Sequence, residues 1–313
     1  MKTYLGFDFG GTKLLIGEMD ENGVILNSKR YATGCVNQDQ AVQRILDSAA
    51  DYCATVGFHG EVQAAGVGIV GVSNHKTGEW VSMNHIITGP PVPLAEILSE
   101  KIGIPVAIDN DVRSATTAEW KLGQGKNSDN FIYINVGTGL AAGFVVNGTL
   151  LRGANNNSGE VGHTVVNIRD AQPCVCGRNG CAENMVSGSG FARQAVRYGL
   201  MDVIVADRPN SADTKKLFEL ADAGEERAVA ITTYAADTLA AVVMNLVRVT
   251  DPDTVILGGG VMSSGWMLDK VMNRLNPSTM RGVTNGVILS RFEPQYAGLI
   301  GAASLGLVLS GQT

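Results

Sequence analysis

The sequence predicts an α/β protein built as two structural copies, and three observations carry that prediction. A strand, glycine turn, strand, "NG" turn, strand pattern opens the chain and starts again at residue 131, the mark of an internal repeat. Helical runs separate the single buried strands that follow, the alternation expected of sheets with crossover helices. At 313 residues the chain is also long for one core, which favours two units.

Taken in order, "TYLGFDFGGTKLLIGEMDENGVIL" reads as successive antiparallel strands joined by tight turns at "GG" and "NG". "QDQAVQRILDSAADYCATVG" has helical spacing, with Gly57 as a stop signal. "VQAAGVGIVG" reads as a buried strand, "PLAEILSEKIG" as a helix, "PVAIDND" as a short strand and "VRSATTAEWKLG" as a helix. "FIYINVGTGLAAGFVVNGTLL" then repeats the opening pattern. "ERAVAITTYAADTLAAVVMNLVRVTD" is a long helix, and "TVILGGG" a strand that precedes a further helix. The apolar tail "AGLIGAASLGLVL" is shorter than the roughly 20 residues that span a bilayer and reads as a buried helix. We expect it to pack back on the first unit, giving units of 1–118 with 297–313, and 119–296.

Composition narrows the function. Hydrophobic residues make up 45% of the chain, enough for substantial cores, while 6% aromatics and 39 glycines favour tight turns over an aromatic-lined groove. The formal charge of −6 has no long runs, which argues against a nucleic-acid surface. Asp8 interrupts the first apolar run, so no secretory signal is expected, and with the short tail no membrane association either. Five cysteines grouped as two and three suit a metal site in a cytoplasmic protein better than a disulfide framework.

Three glycine turns are candidates for phosphate. In "DFGGTK", Gly10 and Gly11 let backbone N–H groups approach an anion and Thr12 adds a hydroxyl. Asp8 is suited to hold hydrated magnesium, and Lys13 offers positive charge. Gly137, Thr138 and Gly139 occupy the corresponding turn of the second copy, and Gly258, Gly259 and Gly260 follow a later strand. None is a P-loop or a full dinucleotide fingerprint, but their joint placement points to a nucleotide. In "DND", Asp111 is either the cap of the following helix or a general base for an attacking hydroxyl, with Asn110 beside it as a substrate contact.

The densest chemistry lies in "EVGHTVVNIRDAQPCVCGRNGCAE", residues 160–183. His163, Cys174, Cys176 and Cys181 offer one nitrogen and three thiolates, the complement of a closed structural zinc site. Glu160 and Glu183 bracket these ligands, so a metal fixing the loop brings two acceptors together as adjacent sugar hydroxyls require. The glycine turns lie elsewhere in sequence and are expected to owe nothing directly to the metal.

The motifs "DFGGTK", "DND", "VGTGLAAGFVVNGTLLRGANNNSGEVGH", "CVCGRNGCAE" and "VILGGGVM" together resemble the ROK proteins (repressors, open reading frames and sugar kinases), in that family's order across residues 8–262. The resemblance implies the actin-like ATPase (ribonuclease H-like) fold, two lobes with a sugar in the cleft, ATP as phosphoryl donor, and a homodimer. It implies Asp111 as catalytic base and Asn110, Glu160, His163 and Glu183 as sugar contacts. His163 then also serves as zinc ligand, since metal on one ring nitrogen fixes the tautomer of the other. An ATP-dependent kinase for a hexose or N-acetylhexosamine is the expected activity, with ATP, Mg2+ and structural Zn2+ bound. The alternative is a sugar-sensing protein with little or no catalysis and no DNA-binding domain. Departures from the pattern are Leu140, Ala141 and Ala142 in place of a glycine run, Val70 in place of a proline, and the wording of the "NHIITGPPVPL" loop.

Overall fold

The computed structural model describes residues 1–35, 37–83, 89–204 and 212–311. The first five residues of the "NHIITGPPVPL" loop, 84–88, therefore lie outside the described residues. Contacts divide the chain into one unit of Met1–Asn127, Arg152–Ser158 and Arg291–Thr313, and a second of Ser128–Leu151 and Gly159–Ser290. The first division falls beyond the expected residue 118 because the helix that ends near it packs wholly within the first unit.

The first unit opens with β1 (Lys2–Phe9), β2 (Lys13–Asp20) and β3 (Ile25–Ala32). Gly10 N donates to Lys13 O at 2.9 Å to close the first turn, and Asp20 Oδ1 accepts from Asn22 N and Val24 N in the second. Helix α1 (Gln38–Thr55) is capped by Asn37, whose side chain accepts from Gln40 N. Then come β4 (Glu61–Ile69), the hairpin β5 (Val72–Asn74) and β6 (Glu79–Ser82), α2 (Leu94–Ile102), β7 (Val106–Asn110) and α3 (Asp111–Lys121). Gly103, at φ 75°, stops α2 in the left-handed conformation that glycine accepts without strain.

The second unit holds β8 (Phe131–Val136), β9 (Leu140–Val146), β10 (Thr149–Leu150), a 3-10 turn (Val161–His163), α4 (Glu183–Val186), α5 (Gly188–Tyr198), α6 (Thr214–Asp222) and α7 (Glu226–Thr250). It finishes with β11 (Thr254–Gly258), α8 (Trp266–Met272), α9 (Pro277–Met280) and β12 (Gly286–Leu289). The last element, α10 (Ala297–Leu309), belongs to the first unit. The sheets run β3-β2-β1-β4-β7 and β10-β9-β8-β11-β12, each with three antiparallel strands followed by two parallel additions. The repeat legible in the opening strands thus extends through the parallel strands of both sheets.

Alternation along β1 sorts its two faces. Leu5, Phe7 and Phe9 join Ile45, Tyr52, Leu94 and Leu98 beneath α1 and α2. Tyr4 packs with Ile300, Ala303 and Leu307 of α10. Glycine lets α10 lie directly on the strands: a Cβ at Gly66 would come within 1.9 Å of Ala302 O, and one at Gly6 within 2.6 Å of Leu299 O. In the second unit α7 is the central helix. By length and composition α7 is apolar enough to cross a membrane, but Ile231, Leu239, Val243 and Val247 are core residues here.

Glu18 in β2 is a buried carboxylate that fastens the chain ahead of β4. It accepts from His59 N (2.7 Å), Gly60 N (2.8 Å) and Asn27 Nδ2 (3.1 Å). Burial alone would raise its pKa, but these donors outweigh it and hold the carboxyl below its ordinary value of 4.5. A depressed folded pKa contributes stability that is present above the unfolded value and lost as pH falls through the folded one. Glu18→Gln should therefore cost about 2 kcal/mol at neutral pH. In denaturant melts the gap from wild type should narrow below the ordinary carboxylate pKa of 4.5; a constant gap would show that charge is not what holds this turn.

Candidate active site

Strand register places the first unit's candidates along one edge. Asp8 of β1 stands opposite Gly68 of β4, which stands opposite Asp109 of β7; one residue on, Phe9, Ile69 and Asn110 are aligned. The "GGT" turn and the "DND" segment therefore emerge together at the carboxyl ends of parallel strands, the usual ligand edge of α/β sheets. Gly11 and Thr12 are exposed there, and a Cβ at Gly11 would meet nothing within 4 Å.

Asp8 lies on the α10 side of the sheet, where a Cβ at Gly298 would sit 2.5 Å from its carboxylate. Burial pushes the Asp8 carboxyl above its ordinary pKa, partly offset by Lys13, whose Nζ is 3.9 Å away. A divalent cation at this carboxylate would favour the ionised form. The single, partly exposed Asp8 carboxylate is the kind of ligand through which magnesium binds while keeping most of its waters.

Asn110, not Asp111, caps α3. The Asn110 side chain accepts from Val112 N (2.9 Å) and Arg113 N (3.4 Å), and its amide donates to Gly71 O (3.1 Å). Asp111 is the first helical residue and is half-buried. The alternative that made Asp111 the cap is thereby reassigned to its neighbour. Gly71 takes a φ of 97° and presents its carbonyl to Asn110, while the preceding Val70 O accepts from Trp80 Nε1. The Val70 departure thus leaves this bend a working support for Asn110.

In the second unit, β8 and β11 run in parallel, and Val136 O accepts from Val261 N at 3.0 Å, so the turns at 137–139 and 258–260 are neighbours. Gly259, at φ 90°, lies so close to β8 that a Cβ would fall 2.4 Å from Val136 O. Thr138 and Gly260 are exposed. The following helix does not begin at the glycines: a turn intervenes and α8 starts at Trp266, so no helix N-terminus meets Gly260. Leu140 and Ala142, two of the departures from the glycine run, are packed in the core beneath β9, with Ala141 half-buried.

The ligand atoms of His163, Cys174, Cys176 and Cys181 all lie within 4.8 Å of one another. His163 Nδ1 is 3.5 Å from Cys174 Sγ, and Cys176 Sγ is 3.6 Å from Cys181 Sγ. Tetrahedral zinc with bonds of about 2.3 Å needs ligand separations of about 3.8 Å, so the set fits the ion. Two chain crossings build it: Val165 bridges Cys181, and Ala182 N donates to Thr164 O at 3.0 Å. Gly177 and Gly180, both at positive φ, make the tight bends between ligands.

Glu183 and the 3-10 turn meet beside this loop, for a Cβ at Gly162 would lie 3.2 Å from the Glu183 Cβ. Glu160 precedes that turn and its carbonyl accepts from His163 N. Glu183 Oε2 also accepts from Leu140 N at 3.0 Å, immediately after the glycine turn. Gly188 N and Ser189 N donate to Gly137 O (2.8 Å) and Thr138 O (3.1 Å). The turn at 137–139 is therefore docked on the segment that follows Cys181, which ties it indirectly to the metal loop. Sequence distance hides this tie, because backbone hydrogen bonds make it.

Three charged groups at "DND" carry no role that the sequence assigns: Asp109, its first residue, with Arg113 and Arg152. The i,i+4 spacing of Asp109 and Arg113 across a helix start was a usable signal. Arg152 reaches Asp109 from far along the chain, and nothing local marks it.

An α/β duplication with a glycine turn at the end of the first strand in each copy is the arrangement of the two-lobed actin-like ATPases, and that is the fold of this protein. The chain belongs to the ROK family, whose profile matches residues 4–308. It is 29% identical over 312 residues to the glucokinase of Thermotoga maritima, covering 96% of each chain. To the N-acetyl-D-glucosamine kinase of Yersinia pseudotuberculosis it is 31% identical, covering 89% of this chain and 90% of the other. The ROK family glucokinase of Streptomyces griseus, solved with glucose and AMPPNP, superposes with a TM-score of 0.76 at 28% identity, covering 97% and 99% of the two chains.

Proposed function

We propose that this protein is an ATP-dependent sugar kinase that transfers the γ-phosphate to a hydroxyl of a hexose or N-acetylhexosamine. The observation that carries the reading is the shared strand edge from which Asp8, the "GGT" turn and Asn110–Asp111 emerge. The relatives, a glucokinase and an N-acetyl-D-glucosamine kinase, support both the reaction and the substrate class. Asp111 accepts the proton of the attacking hydroxyl, while Asn110, Glu160, His163 and Glu183 hold the sugar. The turns at 10–12, 137–139 and 258–260 offer backbone N–H groups to the nucleotide, and Lys13 adds positive charge. Phosphoryl transfer asks chiefly for such positioning and charge neutralisation. Asp8 would hold magnesium, which neutralises phosphate oxygens when bound. His163, Cys174, Cys176 and Cys181 would hold zinc, whose closed coordination shapes the loop and leaves no position for catalytic water. A small-molecule sugar as partner, a homodimer and a cytoplasmic location complete the reading, with no nucleic-acid or membrane partner.

The test is ADP release with ATP and magnesium against a panel of hexoses, N-acetylhexosamines and their epimers, with sugar affinity measured by calorimetry. We expect sugar-dependent ADP release with at least one panel member. Sugar binding without any ADP release would replace the kinase by a non-catalytic sugar sensor.

A further inference from the structure

The carboxylate of Asp109 is 1% exposed and carries more donors than a single side chain ordinarily attracts. Its Oδ1 accepts from Arg113 Nε (2.7 Å), Asn110 N (2.8 Å) and Ser73 Oγ (3.2 Å). Its Oδ2 accepts from both Arg152 Nη2 (2.9 Å) and Nε (3.1 Å), so two prongs of the guanidinium fork converge on one oxygen. The donors come from β5, from the β7–α3 junction and from segment 152–158. That segment belongs to the first unit although the residues on either side of it belong to the second.

Two guanidinium groups thus converge on one carboxylate. Arg113 is itself 4% exposed, its Nη1 lies 3.5 Å from Ser158 O, and its Nη2 is buried with no hydrogen-bond partner among the described residues. Such a cluster is a poor way to gain stability, because desolvating three charges cancels most of their attraction and apolar packing does as well. Geometry is what it supplies. Asp109 fixes the backbone N–H of Asn110 and, through Arg113, the first turn of α3, so the placement of Asn110 and Asp111 follows from it.

We propose that Asp109 is a positioning residue for phosphoryl transfer, locked by Arg113 and Arg152 so that Asn110 and Asp111 meet the acceptor sugar in a productive geometry. The inference rests on the kinase reading above and assigns no substrate contact to Asp109, Arg113 or Arg152.

Arg152 is the residue to change, since its side chain is 24% exposed and Arg113 still compensates Asp109 when it is removed. Misplacement of reacting groups by about 1 Å costs on the order of 10²-fold in rate. Arg152→Gln should lower kcat roughly 10- to 100-fold and weaken sugar affinity by calorimetry, with the affinity for an ATP analogue and the melting temperature near wild type. Arg152→Lys, which keeps the charge without the fork, should recover part of the loss. A folded Arg152→Gln with wild-type kcat and sugar affinity would overturn the proposal. So would parallel losses in sugar affinity, nucleotide affinity and melting temperature, which would mark the cluster as structural only. A wild type that binds sugar without transferring phosphate would remove the kinase reading instead, and the sugar affinity of Arg152→Gln would still decide whether the cluster positions Asn110.

Discussion

Asp111→Asn should lose phosphoryl transfer while keeping its fold and most of its sugar affinity. General-base catalysis contributes about 10²–10⁴-fold, which sets the expected fall in kcat. An amide has the same shape as the carboxylate but cannot take the proton of the attacking hydroxyl. The structure makes this substitution unusually interpretable, because Asn110 supplies the cap of α3. What α3 loses is a charge near its positive end, about 0.3–1 kcal/mol, too little to unfold a protein of this size. Steady-state turnover, sugar calorimetry and a thermal melt on the same preparation separate the effects. Turnover at the wild-type rate would take the base elsewhere and leave Asp111 as part of the helix start.

The second large effect concerns the thiol loop. Purified protein should contain one zinc per chain, and Cys181→Ser should lose it. Sugar affinity should fall by an order of magnitude or more, since the loop that sets His163 and Glu183 is released; even outer-shell changes at metal sites cost 10–100-fold in affinity or activity. The affinity for an ATP analogue should fall as well, though less. Glu183 holds Leu140 N, and Gly188 and Ser189 hold the carbonyls of Gly137 and Thr138. Cys181 is buried, so chelation followed by zinc re-addition to the wild type is the companion measurement. Zinc-free wild type, or a zinc-free protein that binds sugar normally, would end the idea of a metal-built sugar floor.

Local patterns made the opening hairpins, α1 and the thiol cluster legible, because turn glycines, helical spacing and ligand spacing are all encoded within a few residues. The same is true of "DND" as a strand-to-helix junction. The short hairpin of β5 and β6 and the four-residue β12 were missed, since strands of that length owe their existence to a neighbouring edge. β12 is a strand because β11 lies beside it, Val255 opposite Val287. Division of labour within "DND" was also beyond the sequence. Both Asn110 and Asp111 turn a side-chain oxygen to Val112 N, and only the backbone decides that Asn110 is the one to reach Arg113 N as well and cap the helix. Arg152 shows the limit most plainly, for its partner Asp109 is joined to it by folding alone.

The glycine-to-helix contacts of the first unit also bear on how the protein is made. Every strand of the β3-β2-β1-β4-β7 sheet is synthesised before the second unit begins, yet the helix that seats on Gly6 and Gly66 is α10, which emerges after that unit is complete. A chain growing from the ribosome at about 5–20 residues per second therefore carries its first sheet with one face unfinished while the whole second unit is added. Gly6 and Gly66 expose little apolar side chain during that wait. Tyr4 and Met19 wait on the same face, however, so the late helix closes the last apolar surface of the first unit on a backbone that seats it closely.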